Sequence, residues 1–97
     1  MPKKPAVFIM TNRKDGDLYV GVAEDLAMEV WEIKHDRGDA FCKKNATHIL
    51  VYFEFHEGIH EATTRRAQLR KLNHAWKVEL IEKHNSAWQD LWPEIAG

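Results

Sequence analysis

The chain has 97 residues, 44% hydrophobic and 30% charged, which suits one compact core and argues against both disorder and a second domain. Lys and Arg total 14 against 15 for Asp and Glu, a formal net charge of −1 that lacks the basic excess of dedicated nucleic-acid binders and leaves room only for a local cationic patch. No apolar run nears the ~20 residues that cross a bilayer, and a single cysteine, Cys42, allows no internal disulfide and fits a reducing cytoplasm.

The basic start, Met1-Pro2-Lys3-Lys4-Pro5, leads only into the short stretch Ala6 to Met10, so neither a signal peptide nor a membrane partner is expected. Ala6 to Thr11 reads as a strand, followed by polar Asn12 to Asp17, whose Asp15-Gly16 pair signals a hairpin. Leu18 to Val22 is the returning strand. From Asp25, a helix cap, the period changes: Leu26, Val30 and Ile33 mark one helix face that fades by His35. Turn material at Asp36 to Asp39 and a loop from Phe41 to Asn45 lead to His48 through Phe55, whose β-branched and aromatic content makes the strongest strand. Helices are expected from Gly58 or Ile59 to about Leu72, and from Ala75 to His84 with Asn85 as the stop. Trp88, Leu91 and Trp92 are expected to close over the core as a last apolar turn. The order is β-β-α-β-α-α, an α+β fold with a small three-stranded antiparallel sheet flanked by helices, as one domain over 1–97 with its core at about 6–92.

Two charges fall where the pattern asks for apolar side chains. In the second long helix Ile59, Ala62, Leu69 and Leu72 mark the inward stripe, and Arg66 stands on it. In the first helix Glu29 flanks the inward face between Leu26 and Ile33. Buried charges need pairing, hydrogen bonds or a wet cleft. Two readings stay open: a structural Glu29–Arg66 pair (or an Arg whose stem packs while its head reaches water), and a charged cleft between the hairpin and the two helices.

Phe8 in Val7-Phe8-Ile9, then Leu18-Tyr19-Val20-Gly21-Val22 across the hairpin, resembles the two halves of the GIY-YIG nuclease signature. Further matches are Val30-Trp31-Glu32 with Lys34, Phe41 with Lys43-Lys44, His48 with Leu50-Val51-Tyr52, and Gln68-Leu69 with Lys71. Ala75 to Glu82, then Asn85, Trp88 and Asp90-Leu91, complete a resemblance to the small stand-alone bacterial GIY-YIG proteins over roughly 6–92. The resemblance implies a three-stranded antiparallel sheet and divalent-metal-dependent cleavage of DNA. There, a carboxylate holds the metal, an arginine offsets phosphate charge and tyrosines orient or activate the nucleophile.

Set on this sequence, that pattern is mostly replaced. The first signature tyrosine falls at Phe8, the arginine of the first helix at Glu29, a histidine one turn later at Ile33, and the metal-binding glutamate at Arg66. Tyr19 is retained, with Gly21 beside it. Arginine offers no lone pair, so no metal is expected at Arg66. Three function classes follow: a divergent GIY-YIG domain without normal catalysis that binds DNA weakly; an active endonuclease with a charge-swapped site, Glu29 holding Mg2+ or Mn2+ and Arg66 meeting phosphate; and a protein-interaction domain or homo-oligomer on the same scaffold. No cofactor is expected in the first and third.

Arg13, Lys34, Lys43 and Lys44 are candidate DNA contacts near the hairpin, against a solvated-surface reading. Arg65, Arg70 and Lys71, offset by Glu54, Glu57 and Glu61, read as a solvated helix face. Six histidines include His56 and His60, four apart but split by a strand-to-helix junction, so no zinc pattern is completed; His84 suits a helix C-terminus. Cys42 reads as an ordinary loop or half-buried thiol. Trp76 and Trp88 are expected to pack, whereas an exposed Trp31 or Trp92 points to a partner surface.

Overall fold

Strand β1 (Ala6–Thr11) takes the middle of an antiparallel sheet ordered β2-β1-β3. The computed structural model describes residues 4–96, so the start of the basic N-terminal stretch lies outside the described residues. Every residue of β1 is buried. A strand covered on both faces needs apolar side chains throughout, which explains its continuous rather than alternating pattern. Ala6, Phe8 and Met10 face one core and Val7 and Ile9 the other.

Strand β2 (Leu18–Ala23) returns beside β1 through residues 12–17. The expected hairpin forms, but as a six-residue loop whose left-handed residue is Asp15 (φ 56°) and not Gly16. Gly16 is required there by close approach, since a Cβ would lie 2.1 Å from Asn12 Oδ1. Strand β3 (Ile49–Phe55) pairs with the other side of β1, and its register slips between Ile9–Tyr52 and Met10–Leu50. The extra residue, Val51, is a bulge that turns both Val51 and Tyr52 toward the same core.

The two faces carry different helices. Helix α1 (Leu26–Lys34), capped by Asp25 accepting from Met28 N at 3.3 Å, buries Leu26, Val30 and Ile33 on the first face. Helices α3 (Ile59–Lys71) and α4 (His74–His84) cover the second face through Ala62, Leu69 and Ile81. Asn85 stops α4, its N–H bonded to Ile81 O at 2.7 Å.

Three expectations are corrected. The loop expected at 41–45 is a short helix, α2 (Ala40–Asn45), because Asp39 caps it (Phe41 N to Oδ1, 2.8 Å) and Ala46 ends it in the left-handed region at φ 54°. One helical turn shows no period in sequence. The closing segment is also more structured than a turn: α5 (Trp92–Ala96) packs Trp92 and Ile95 on the first core. Before it, Leu91 N bonds Leu50 O at 2.7 Å, and Asn85 Nδ2 bonds Val51 O at 3.1 Å, along the outer edge of β3. Finally, Ile59 and Leu72 are exposed, not inward. They sit at the ends of α3, where the stripe leaves the sheet, and Leu72 is already extended (φ −70°, ψ 145°). Among the described residues no helix is long and apolar enough to cross a membrane.

Candidate functional site

Tyr19 lies on the edge strand β2, facing the same core as Phe8, and the two rings meet at 6.1 Å and 53°. They close over Gly21, where a Cβ would come within 2.6 Å of Phe8 and 2.7 Å of Tyr19. Any side chain at Gly21 would therefore displace the Phe8 ring, the Tyr19 ring or both. The far side of Tyr19 meets Phe41 of α2, 6.0 Å away and 27° from parallel. Phe41 is 41% exposed, so its outer face is open.

From the other direction comes Arg70, near the C-terminus of α3. Its Nε donates to Val20 O at 3.0 Å and its guanidinium stands 5.8 Å from the Tyr19 ring centre. That bond uses one of five N–H groups, and the other four have no hydrogen-bond partner among the described residues. Lys77 of α4 completes the wall, its ammonium likewise unpartnered among the described residues. Together with β2 residues 18–20 and Asp39, these side chains line a cleft of about 370 Å³.

The electrostatics of the cleft are mixed. Burial raises the Tyr19 pKa, with Asp39, Cys42 and Glu29 adding to the rise and Arg70 opposing it, so the phenol stays protonated. Glu29 is also raised, first by burial and then by Glu32 and Asp39. Among the described residues no cation forms an ion pair with those carboxylates. The Cys42 thiol, buried in the first core, is pushed up by burial, with Thr47 opposing and Asp39 and Glu29 adding.

The sequence-derived candidates are scattered. Glu29 and Arg66 form no ion pair among the described residues, because α1 and α3 pack on opposite faces of the sheet. Arg66 is half-buried, and its buried Nε has no hydrogen-bond partner among the described residues. Phe8 and Ile33 are core residues. Lys34 is taken: its ammonium reaches His48 O at 2.7 Å and Asp90 at 2.5 Å. Arg13, Lys43 and Lys44 are exposed but lie outside the cleft lining. Among the described residues no group of three or more His, Cys, Asp or Glu is placed to hold a metal ion.

Trp76, expected to pack, is 58% exposed, whereas Trp88 is buried with Nε1 bonded to Glu82 at 2.8 Å. Trp31 is 37% exposed, stacked on His35 at 4.0 Å and under the Arg37 guanidinium at 5.3 Å. The cleft-lining cations that the sequence did not single out are Arg70, read as part of a solvated helix face, and Lys77. They sit on different helices with a break at Leu72-Asn73 between them, so no helical spacing could join them.

At the opposite edge of the sheet a second polar group gathers around Glu54. It accepts from Tyr52 OH at 2.5 Å and from Arg65 Nε at 3.0 and 3.2 Å, and lies 2.6 Å from His56 Nε2. Burial works to raise its pKa, but hydrogen bonds from Tyr52, Arg65 and His56 outweigh it and hold Glu54 low. Tyr52 is pushed up to about 12, by burial first and then by Glu54.

A UPF0213 protein of Clostridium perfringens is similar to this chain, 29% identical over 82 residues that cover 84% of the chain and 88% of that protein. No family model and no solved structure matches it.

Proposed function

We propose that this chain is a divergent GIY-YIG-like domain that binds nucleic acid weakly and does not hydrolyse it in the manner of that family. One observation carries the reading: at the retained Tyr19, two cations with no ion-pair partner among the described residues and an open stacked ring line a cleft, while an arginine stands where the resemblance implies a metal-binding glutamate. The ordered likeness to small GIY-YIG proteins and the similarity to a UPF0213 protein support the scaffold part of the reading.

The chemistry follows from the groups present. Arg70, steadied by Val20 O, turns its free N–H groups toward a phosphate, and Lys77 adds a second positive charge. The protonated Tyr19 hydroxyl is a donor rather than a base. Phe41 offers a face to a base. With two phosphate contacts the salt slope is about −1.4 to −1.8, and affinity falls in the ~10⁻⁴–10⁻⁶ M range of non-specific binding.

The charge-swapped nuclease gains nothing from this geometry, since Glu29 and Arg66 belong to opposite faces. A protein-interaction reading has one observation in its favour, the exposed Met28 and Trp31 one turn apart on α1. The test is anisotropy of labelled single-stranded, duplex and branched DNA from about 50 to about 200 mM salt, alongside a cleavage assay with Mg2+ or Mn2+. Salt-sensitive binding lost in Arg70→Ala/Lys77→Ala, without cutting, supports the proposal. Metal-dependent cutting lost in Tyr19→Phe would overturn it, and binding indifferent to salt and to those variants would favour the protein-interaction reading.

A further inference from the structure

Building on the nucleic-acid reading above, we propose that the Tyr19 cleft seats a single terminal nucleotide unit, with a phosphate monoester between Arg70 and Lys77 and its base on the open face of Phe41. Size comes first. About 370 Å³ lies at the small end of ligand pockets, a size that suits one nucleotide unit inside the cleft. A base inside a duplex also has no free face to offer Phe41.

Charge points the same way. Two cations without an ion-pair partner among the described residues line the cleft, Arg70 bonded only through Nε. A monoester phosphate carries about −1.5 to −2 at neutral pH and has the oxygens to meet both cations at once, whereas an internal diester offers one charge and two free oxygens. The Asp39 carboxylate also lines the cleft and offsets part of its positive charge; one of its oxygens accepts from Phe41 N at 2.8 Å and is held by the start of α2. The Arg70 fork is fixed at Nε, so its remaining N–H groups are oriented before a ligand arrives. Phe41 is itself backed by Tyr19, and Tyr19 by Phe8, so an arriving base extends an existing series of rings. A nucleoside monophosphate in solution and the phosphorylated end of a strand share this chemistry.

Amide chemical-shift titrations of the intact chain with adenosine 5′-monophosphate, adenosine and inorganic phosphate test the pairing of base and phosphate. The nucleotide is expected to shift Tyr19, Phe41, Arg70 and Lys77, and to bind roughly tenfold or more tightly than either fragment. Phe41→Leu keeps the apolar contact with Tyr19 but loses the ring; it is expected to weaken the nucleotide roughly fivefold or more and leave phosphate unchanged. Lys77→Ala, which removes no bond within the described fold, weakens nucleotide and phosphate alike. Short single strands bearing a 5′-phosphate or a 5′-hydroxyl separate the two sources, a preference for the phosphorylated strand marking strand ends. Nucleotide and adenosine binding equally, or shifts elsewhere, with no preference for a phosphorylated strand, overturns the inference. If strands then still bind with salt dependence, the nucleic-acid reading survives it. A nucleotide seated at these four residues with no strand binding at any salt does the reverse: it keeps the site for free nucleotides and removes the nucleic-acid reading.

Discussion

The two edges of the sheet carry the same kinds of side chain put to opposite use. At β3, Tyr52, Glu54, Arg65 and His56 satisfy one another around a single carboxylate. At β2, Tyr19, Asp39, Arg70 and Lys77 share a cleft with no ion pair among them. A tyrosine, a carboxylate and an arginine are therefore not a site by their identity. Where the charges are paired with one another the group holds the fold, and where charges are left without an ion pair the group can receive something.

The comparison predicts that damage at β3 appears in stability and damage at β2 in binding. The largest expected effect is Glu54→Gln, which leaves Arg65 and His56 around a neutral amide and lowers stability by about 2 kcal/mol, roughly 10 °C in Tm, without altering nucleic-acid binding. Because Glu54 is held low, its contribution is present above the ordinary carboxyl pKa of 4.5 and lost as pH falls through the lower folded value. Acid melts should therefore show a component in the natural protein that is missing in Glu54→Gln. A binding defect of equal size in that variant would dissolve the distinction between the edges.

Tyr52→Phe comes next. A phenol pushed up from 10.0 to about 12 contributes stability that is full below pH 10 and lost as pH rises from there toward 12. Two pH units correspond to ~2.7 kcal/mol at most; solvent access to the network reduces this to ~1–2 kcal/mol. The alkaline loss of Tm should be steeper in the natural protein than in Tyr52→Phe.

On the other edge, Arg70→Lys keeps the charge but loses the fork fixed to Val20 O. Its expected effect on stability is ~0.5–1 kcal/mol, with a clear loss of affinity and little change in salt slope; unchanged affinity would mean that only charge matters in the cleft. The smallest effect is Glu29→Gln. Glu29 is raised by burial and two carboxylates, so its ionised form opposes folding above the ordinary carboxyl range. The amide should be neutral to stabilising by ~0.5 kcal/mol in a neutral-pH melt, the reverse of what a structural Glu29–Arg66 pair requires.

The fold was readable wherever a period lasted long enough. The hairpin, α1, β3, α3 and α4 each show their spacing over a whole element, and their bounds follow expectation to within a residue or two. Helix α2 did not, because its six residues hold barely more than one turn and its signal is a cap at Asp39 that reads equally as turn material. The site was readable at Tyr19 alone. Glu29 and Arg66 looked like partners because hydrophobic patterning says which face of its own helix a residue occupies, and nothing about which face of the sheet that helix covers. Arg70 and Lys77 converge only through the bend between α3 and α4.

The stitching along β3 carries one more consequence. An edge strand with open N–H and C=O groups recruits other strands. Here Asp90 takes Leu50 N at 3.2 Å, Leu91 gives its N–H to Leu50 O, and Asn85 covers Val51 O. Removing residues 85–96 would strip those groups bare beside a run of valine, tyrosine and phenylalanine. The segment after α4 thus covers this stretch of open edge, and a chain cut there is expected to form oligomers or aggregates even while its hairpin and long helices persist.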